Sequence, residues 1–142
     1  ASDVYKRQVV DSNIEEGRKL TGPQIGEAEK KRTLLYHRAR EFMDGYDFLL
    51  LPVAQVPPFD VKQRYVGEIN GVKMQTYLDW KRSCYYISTT ELPAISVPCG
   101  FTPDGLPIGL QIVGGHHDDM GVLQLAYAFE QSTGIGLRHP KL

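Results

Sequence analysis

The run from Ala94 to Phe101, with its return from Pro107 to Val113, constrains the fold of this chain more than any other feature. Ile95, Val97, Cys99 and Phe101 alternate with Ala94, Ser96, Pro98 and Gly100, the period of an extended strand. Thr102-Pro103-Asp104-Gly105 carries Pro and Gly where a tight turn uses them. On the return, Ile108, Leu110 and Ile112 share one face. The pattern predicts a hairpin. Pro98 has no N–H to give a ladder, so it predicts an edge or a bulge. Gly114-Gly115 ends the second strand.

Helical signals flank this hairpin. A first helix is expected over about residues 21–44. Thr21 and Gln24 form a capping-box pattern, Pro23 suits the first turn, and Gly45 is a stop. Ile25, Ala28, Leu35, Ala39 and Phe42 fall on one face, the expected core side, with Lys30, Lys31, Arg32, Arg38 and Arg40 largely off it. Phe48 to Val53 is continuously apolar and reads as a strand buried on both faces. Ala54 to Val61 is irregular, because Pro57-Pro58 forbids a central strand. Asn70-Gly71 marks a two-residue hairpin turn between Val66, Ile69, Val72 and Met74. A second helix is expected over about 77–90, with Thr76 and Asp79 as caps. Tyr77, Leu78, Cys84, Tyr85 and Ser88 share one side, and Trp80 and Ile87 lie on another, so this helix is expected to be buried. A last helix over about 119–132 turns Val122, Leu125, Ala126 and Phe129 inward, with Asp118 and Asp119 at its positive end. The tail to Leu142 is expected to be loose.

Length and charge set the outer bounds. The 142 residues suit one domain. With 42% hydrophobic and 23% charged residues, the chain lacks the composition of disorder. A net charge of -1 gives no general basic footprint for nucleic acid. No run approaches the ~18 apolar residues of a membrane span, no secretory leader is visible, and two cysteines are too few for a disulfide framework. The expectation is a soluble, cytoplasmic protein. Ala1 to Gln8 lacks an initiator Met and reads either as a start in mid-frame or as a processed terminus.

Candidate chemistry is sparse. His116-His117-Asp118-Asp119 invites a metal, but adjacent residues seldom point at one ion and no partner pair stands at zinc spacing, so it reads as a polar loop with a helix cap and no metal. Cys99 reads as core, and so does Cys84, although Cys84 has the alternative of touching a ligand. The serines are Ser2, Ser12, Ser83, Ser88, Ser96 and Ser132. None sits in a Gly-rich turn, and neither a Gly-x-Ser-x-Gly elbow nor a phosphate loop is present. No complete catalytic apparatus is recognisable.

Leu92-Pro93-Ala94-Ile95-Ser96-Val97-Pro98, followed by Gly100-Phe101-Thr102-Pro103-Asp104-Gly105-Leu106-Pro107-Ile108-Gly109-Leu110-Gln111-Ile112-Val113-Gly114, resembles the C-terminal segment of the amidase signature family. Ala126, Ala128-Phe129 and Glu130 are similar to that family's ending, and Tyr46-Asp47-Phe48-Leu49-Leu50-Leu51-Pro52 to an earlier part of it. The resemblance implies an α/β fold, a mixed twisted sheet covered by helices. Residues 21–142 would be the C-terminal portion of a single amidase domain, and residues 1–20 an N-terminal segment of uncertain origin. The implied activity is hydrolysis of carbon–nitrogen amide bonds by a Lys and two Ser, one of them in a cis peptide. No position of this chain matches that set, so no catalytic residue is carried over, and the chain alone is expected to be inactive. No cofactor is implied.

In the family the helix before the Leu-Pro-Ala run lines the acyl pocket. By position this makes Trp80, Cys84, Ile87 and Ser88 the substrate-binding candidates, each with plain core as the alternative. The implied partner is a small amide, with no nucleic acid and no membrane, and with a second copy of the chain as a further candidate. Relatives often carry Asn where Ser88 stands, Gly where Glu91 stands, and Thr where Leu51 and Val53 flank Pro52. Two rivals stay open: the glutamine-hydrolysing subunit of a tRNA-dependent amidotransferase, and a binding module that keeps this half of the fold. Trp80 and Tyr85-Tyr86 favour a substrate more apolar or aromatic than glutamine.

Overall fold

The computed structural model describes residues 10–11 and 13–139. The start at Ala1–Gln8, the hydroxyls of Ser2 and Ser12, and the end of the tail lie outside the described residues. In chain order the elements are α1 (Gly22–Met43), β1 (Leu49–Pro52), β2 (Glu68–Ile69), β3 (Val72–Lys73), α2 (Arg82–Thr90), β4 (Ala94–Phe101), β5 (Pro107–Val113) and α3 (Asp119–Thr133). Single 3-10 turns stand at Asp79–Lys81 and Ile135–Leu137. The chain divides into two units, Ala1–Leu34 and Leu35–Leu142.

In the first unit, helical backbone over 13–18 precedes the start of α1. The capping pattern is half made. Both the Thr21 N–H (2.8 Å) and its hydroxyl (3.0 Å) donate to Gln24 Oε1. Arg18 and Lys19 pair with Glu15 and Glu16 on the surface. The expected inward face is uncovered here, with Ile25 51% exposed.

The second unit is built on the hairpin. Three antiparallel strands stand in the order β1-β5-β4. Ile95 pairs with Ile112 and Val97 with Leu110, and the register then shifts between Pro98 and Gly100. That is the bulge Pro98 predicts. Cys99 is left without a cross-strand partner and is half-buried rather than core. The turn closes as its residues require: the Gly105 N–H donates to the Thr102 carbonyl at 2.9 Å, Leu106 N–H donates to the Thr102 hydroxyl at 3.0 Å, and Gly105 takes φ +82. Asn70 and Gly71, at φ 48 and 78, make the short β2–β3 hairpin.

Alternation on β5 serves two cores. Val113 packs with Met43, Ile87 and Leu92, joined by Ala39, Leu49 and Leu51. Ile112 packs with Val97 and Ala126, joined by Ile95, Leu125 and Phe129. Ile112 and Val113 are fully enclosed, one in each core. α3 docks as expected through Val122 and Ala126. The Asp118 carboxylate accepts the Gly121 N–H at 3.0 Å, and Gly134 closes the helix in the left-handed region.

Three expectations are corrected. β1 is an edge strand running antiparallel to β5, so Leu49 and Leu51 face the core while Leu50 is 53% exposed. In the second unit the α1 face buries only Met43 and packs Ala39, and Phe42 stays 50% exposed. The second helix starts later than read. The Asp79 carboxylate takes the N–H groups of Gln75 and Thr76, which holds those residues in a turn. A 3-10 turn then leads into α2 at Arg82, and α2 buries only Ile87. α2 ends at Glu91, a non-glycine at φ 62. Beyond it, His116 Nε2 lies 2.9 Å from the Thr90 carbonyl, so that nitrogen carries the proton.

Candidate functional site

A cleft of about 890 Å³ opens beside the hairpin. One side is the end of β1 and the segment after it, from Leu50 through Val53 to Phe59. The other is the distal hairpin, with Ser96, Cys99, Phe101, Ile108 and Gly109. Trp80 adds its ring to the lining. A smaller hollow of about 330 Å³ shares Leu51, Pro52, Ala54 and Gln55 with it and adds Ser83, Tyr86 and Ile87.

Polar ties fix these walls. The Gln55 amide donates to the Asp79 and Trp80 carbonyls at 3.2 and 2.9 Å, which binds the irregular segment to the 3-10 turn. Arg82 donates to Asp79 at 2.6 Å. That bond, together with the Thr76 and Gln75 N–H groups, holds the Asp79 carboxyl at about 2 against an ordinary 3.8. The Ser83 hydroxyl and the Cys84 thiol both donate to the Val53 carbonyl, at 2.9 and 3.0 Å. Aromatic rings surround the turn: Trp80 meets Phe59 edge-on at 5.3 Å and Tyr77 at 6.1 Å, and the Lys81 ammonium sits 4.3 Å over Tyr77.

Of the four predicted residues, Trp80 lines the large cleft. Ile87 lines the small hollow while reaching the core. The Cys84 side chain is engaged with Val53 and the residue is exposed. Ser88 touches neither hollow, and its carbonyl accepts the Glu91 N–H at 3.4 Å. Sequence reasoning missed Val53, Gln55, Phe59 and Gly109. Phe59, after Pro57-Pro58, carried a signal, being a large ring on a segment too irregular for a strand. Gly109 carried another, as the one residue without a side chain between Ile108 and Leu110.

Among the described residues no charged side chain lines the cleft. Among the described residues no lysine is hydrogen-bonded to a serine hydroxyl, and Ser83 and Ser132 donate to the carbonyls of Val53 and Phe129. No group of three His, Cys, Asp or Glu among them could hold a metal ion. No helix among them is long and apolar enough to cross a membrane. The arrangement is suited to binding a flat, uncharged group against apolar and aromatic walls.

The amidase family profile matches residues 2–123. The chain belongs to the amidase family. It is 42% identical over 108 residues to a glutamyl-tRNA(Gln) amidotransferase subunit of Thermodesulfovibrio yellowstonii, covering 75% of this chain and 21% of that protein. It is 36% identical over 118 residues to an acylamidase of Rhodococcus erythropolis, covering 82% and 24%. Among solved structures, a bacterial aryl acylamidase of the amidase signature family superposes with a TM-score of 0.75 at 27% identity, over 84% of this chain and 25% of that one. The chain thus spans about a fifth to a quarter of the length of these relatives.

Proposed function

We propose that this chain supplies the C-terminal hairpin and one wall of the acyl cleft of an amidase that hydrolyses an uncharged amide to a carboxylic acid and ammonia or an amine. The observation that carries the reading is the uncharged, aromatic-rimmed cleft beside the hairpin of a chain of this family. The catalysis fits a serine hydrolase whose Lys, cis Ser and nucleophilic Ser lie outside these residues. The Lys takes a proton through the first Ser, the second Ser attacks the carbonyl, and backbone N–H groups hold the oxyanion. The intermediate collapses as its carbon–nitrogen bond breaks and ammonia or the amine leaves with the proton, and water then hydrolyses the acyl-serine to release the acid and restore the Ser. Two free thiols suit a reducing cytoplasm.

A glutamine-hydrolysing subunit is the second reading, favoured by the 42% identity to an amidotransferase component. Glutamine carries an ammonium and a carboxylate, and each needs a counter-group when desolvated. The described wall provides none, which supports the uncharged amide. The test is to read the gene in frame upstream of Ala1 and assay its product on 4-nitroacetanilide and on glutamine. We expect a Lys and a Gly/Ser-rich stretch upstream, anilide hydrolysis well above glutamine hydrolysis, and no turnover by the 142-residue chain alone. A stop codon close upstream, with a folded, inactive chain, would sink the reading in favour of a binding module.

A further inference from the structure

The backbone of Val53 is tied to two elements at once. Its carbonyl accepts from the Ser83 hydroxyl and the Cys84 thiol, both in the first turn of α2. A carbonyl oxygen has two lone pairs, so both are engaged. Its N–H donates across to the Gly109 carbonyl of β5 at 3.4 Å. The side chain is equally confined. A Cβ added at Gly109 would stand 3.0 Å from Val53 Cγ2 and 3.1 Å from Ser96 Oγ. The valine therefore lies directly on a strand position where a side chain would have to press it aside by a few tenths of an ångström. Branching at Cβ leaves it little rotamer freedom. All three of Val53, Ser96 and Gly109 line the large cleft.

We propose that Val53 is a specificity-determining residue of this cleft, an inference that rests on the amidase reading and sharpens it. Its isopropyl group forms a fixed apolar stop that accepts a flat uncharged ring and rejects a hydroxyl or a charge. Ser83 and Cys84 are positioning residues that act through it.

Trp80 is the chain's one tryptophan and lines the same cleft, so its emission reports occupancy on the 142-residue chain without turnover. Benzamide is titrated against the wild-type chain and against Val53→Thr, which has the same shape with one methyl replaced by a hydroxyl, with L-glutamine as the charged control. Benzamide is expected to give a saturable change in emission, about tenfold weaker in Val53→Thr because the added hydroxyl must be desolvated. Glutamine is expected to give none. Ser83→Ala should weaken benzamide and Ser83→Thr restore it, with far-UV circular dichroism unchanged, which separates positioning from unfolding. Should the threonine chain not fold, Val53→Ile adds bulk without polarity and is expected to weaken benzamide several-fold. Equal benzamide affinity in the folded variant and the wild type overturns the proposal, and so does a wild-type chain with no saturable response. If the upstream-extended enzyme hydrolyses no amide while the tenfold difference stands, the amidase reading falls and the role of Val53 in binding holds.

Discussion

Asp79 concentrates more hydrogen bonding than any other carboxylate near the cleft. One oxygen accepts from Arg82 at 2.6 Å, and the other from the Gln75 and Thr76 N–H groups at 2.8 Å each. All three bonds favour the charged form, so the folded carboxyl titrates near 2 instead of 3.8. A group held below its unfolded value stabilises the fold fully above that value, and the stability is lost as pH falls toward the folded one. The window is therefore about pH 4 to 2. Urea unfolding of the wild type and Asp79→Asn at pH 7, 4, 3 and 2 should show the variant weaker at pH 7 and the gap closing toward pH 2. A gap that stays constant would mean that the carboxylate charge is not what holds the turn. Glu91 is a residue-scale departure of a different kind. Its backbone stands at φ 62, a conformation that glycine adopts freely and glutamate only under strain.

Elements respond to crowding in the same residue-specific way. β5 runs into α3 through Gly114 and Gly115. A Cβ on Gly114 would meet Val122 Cγ2 at 2.6 Å, and Val122 is buried in the sheet–α3 packing, whereas a Cβ on Gly115 would meet nothing within 4 Å. Gly114→Ala should lower stability by about 1–3 kcal/mol, and Gly115→Ala by less than about 0.5 kcal/mol. Paired thermal melts check this, and equal losses would show that α3 moves off the strand without cost. The same elements mark what could be read from the chain. The hairpin, its turn, its bulge and the N-terminal cap of α3 were readable because alternation, Pro98, Gly105 and Asp118 act over a few residues. The edge position of β1 and the bare side of α1 were not, because an apolar face in sequence does not say what covers it.

The site follows the same division at the scale of the whole molecule. Trp80, placed by a resemblance in chain position, lines the cleft, whereas Val53 and Gly109 meet because Val53 continues the antiparallel register of β1 on β5 one step past Pro52 and Leu110, a contact between distant parts of the chain that no local pattern encodes. Covering of surfaces is likewise a property of the whole. α3 is apolar on both sides: Val122, Leu125, Ala126 and Phe129 turn inward, while Met120, Leu123 and Tyr127 stand outward at 65%, 52% and 66% exposure. Those three recur at helical spacing and form one stripe. A stripe of this kind is more than the scattered single residues that any surface shows. The chain on its own is therefore expected to bind a hydrophobic dye such as anilinonaphthalene sulfonate. Leu123→Lys with Tyr127→Lys should remove most of that signal and shift stability by no more than about 0.5 kcal/mol per site, since neither side chain is in the core. If the signal survives both substitutions but falls when benzamide is added, the dye occupies the Trp80 cleft, and α3 is not the exposed apolar surface that matters.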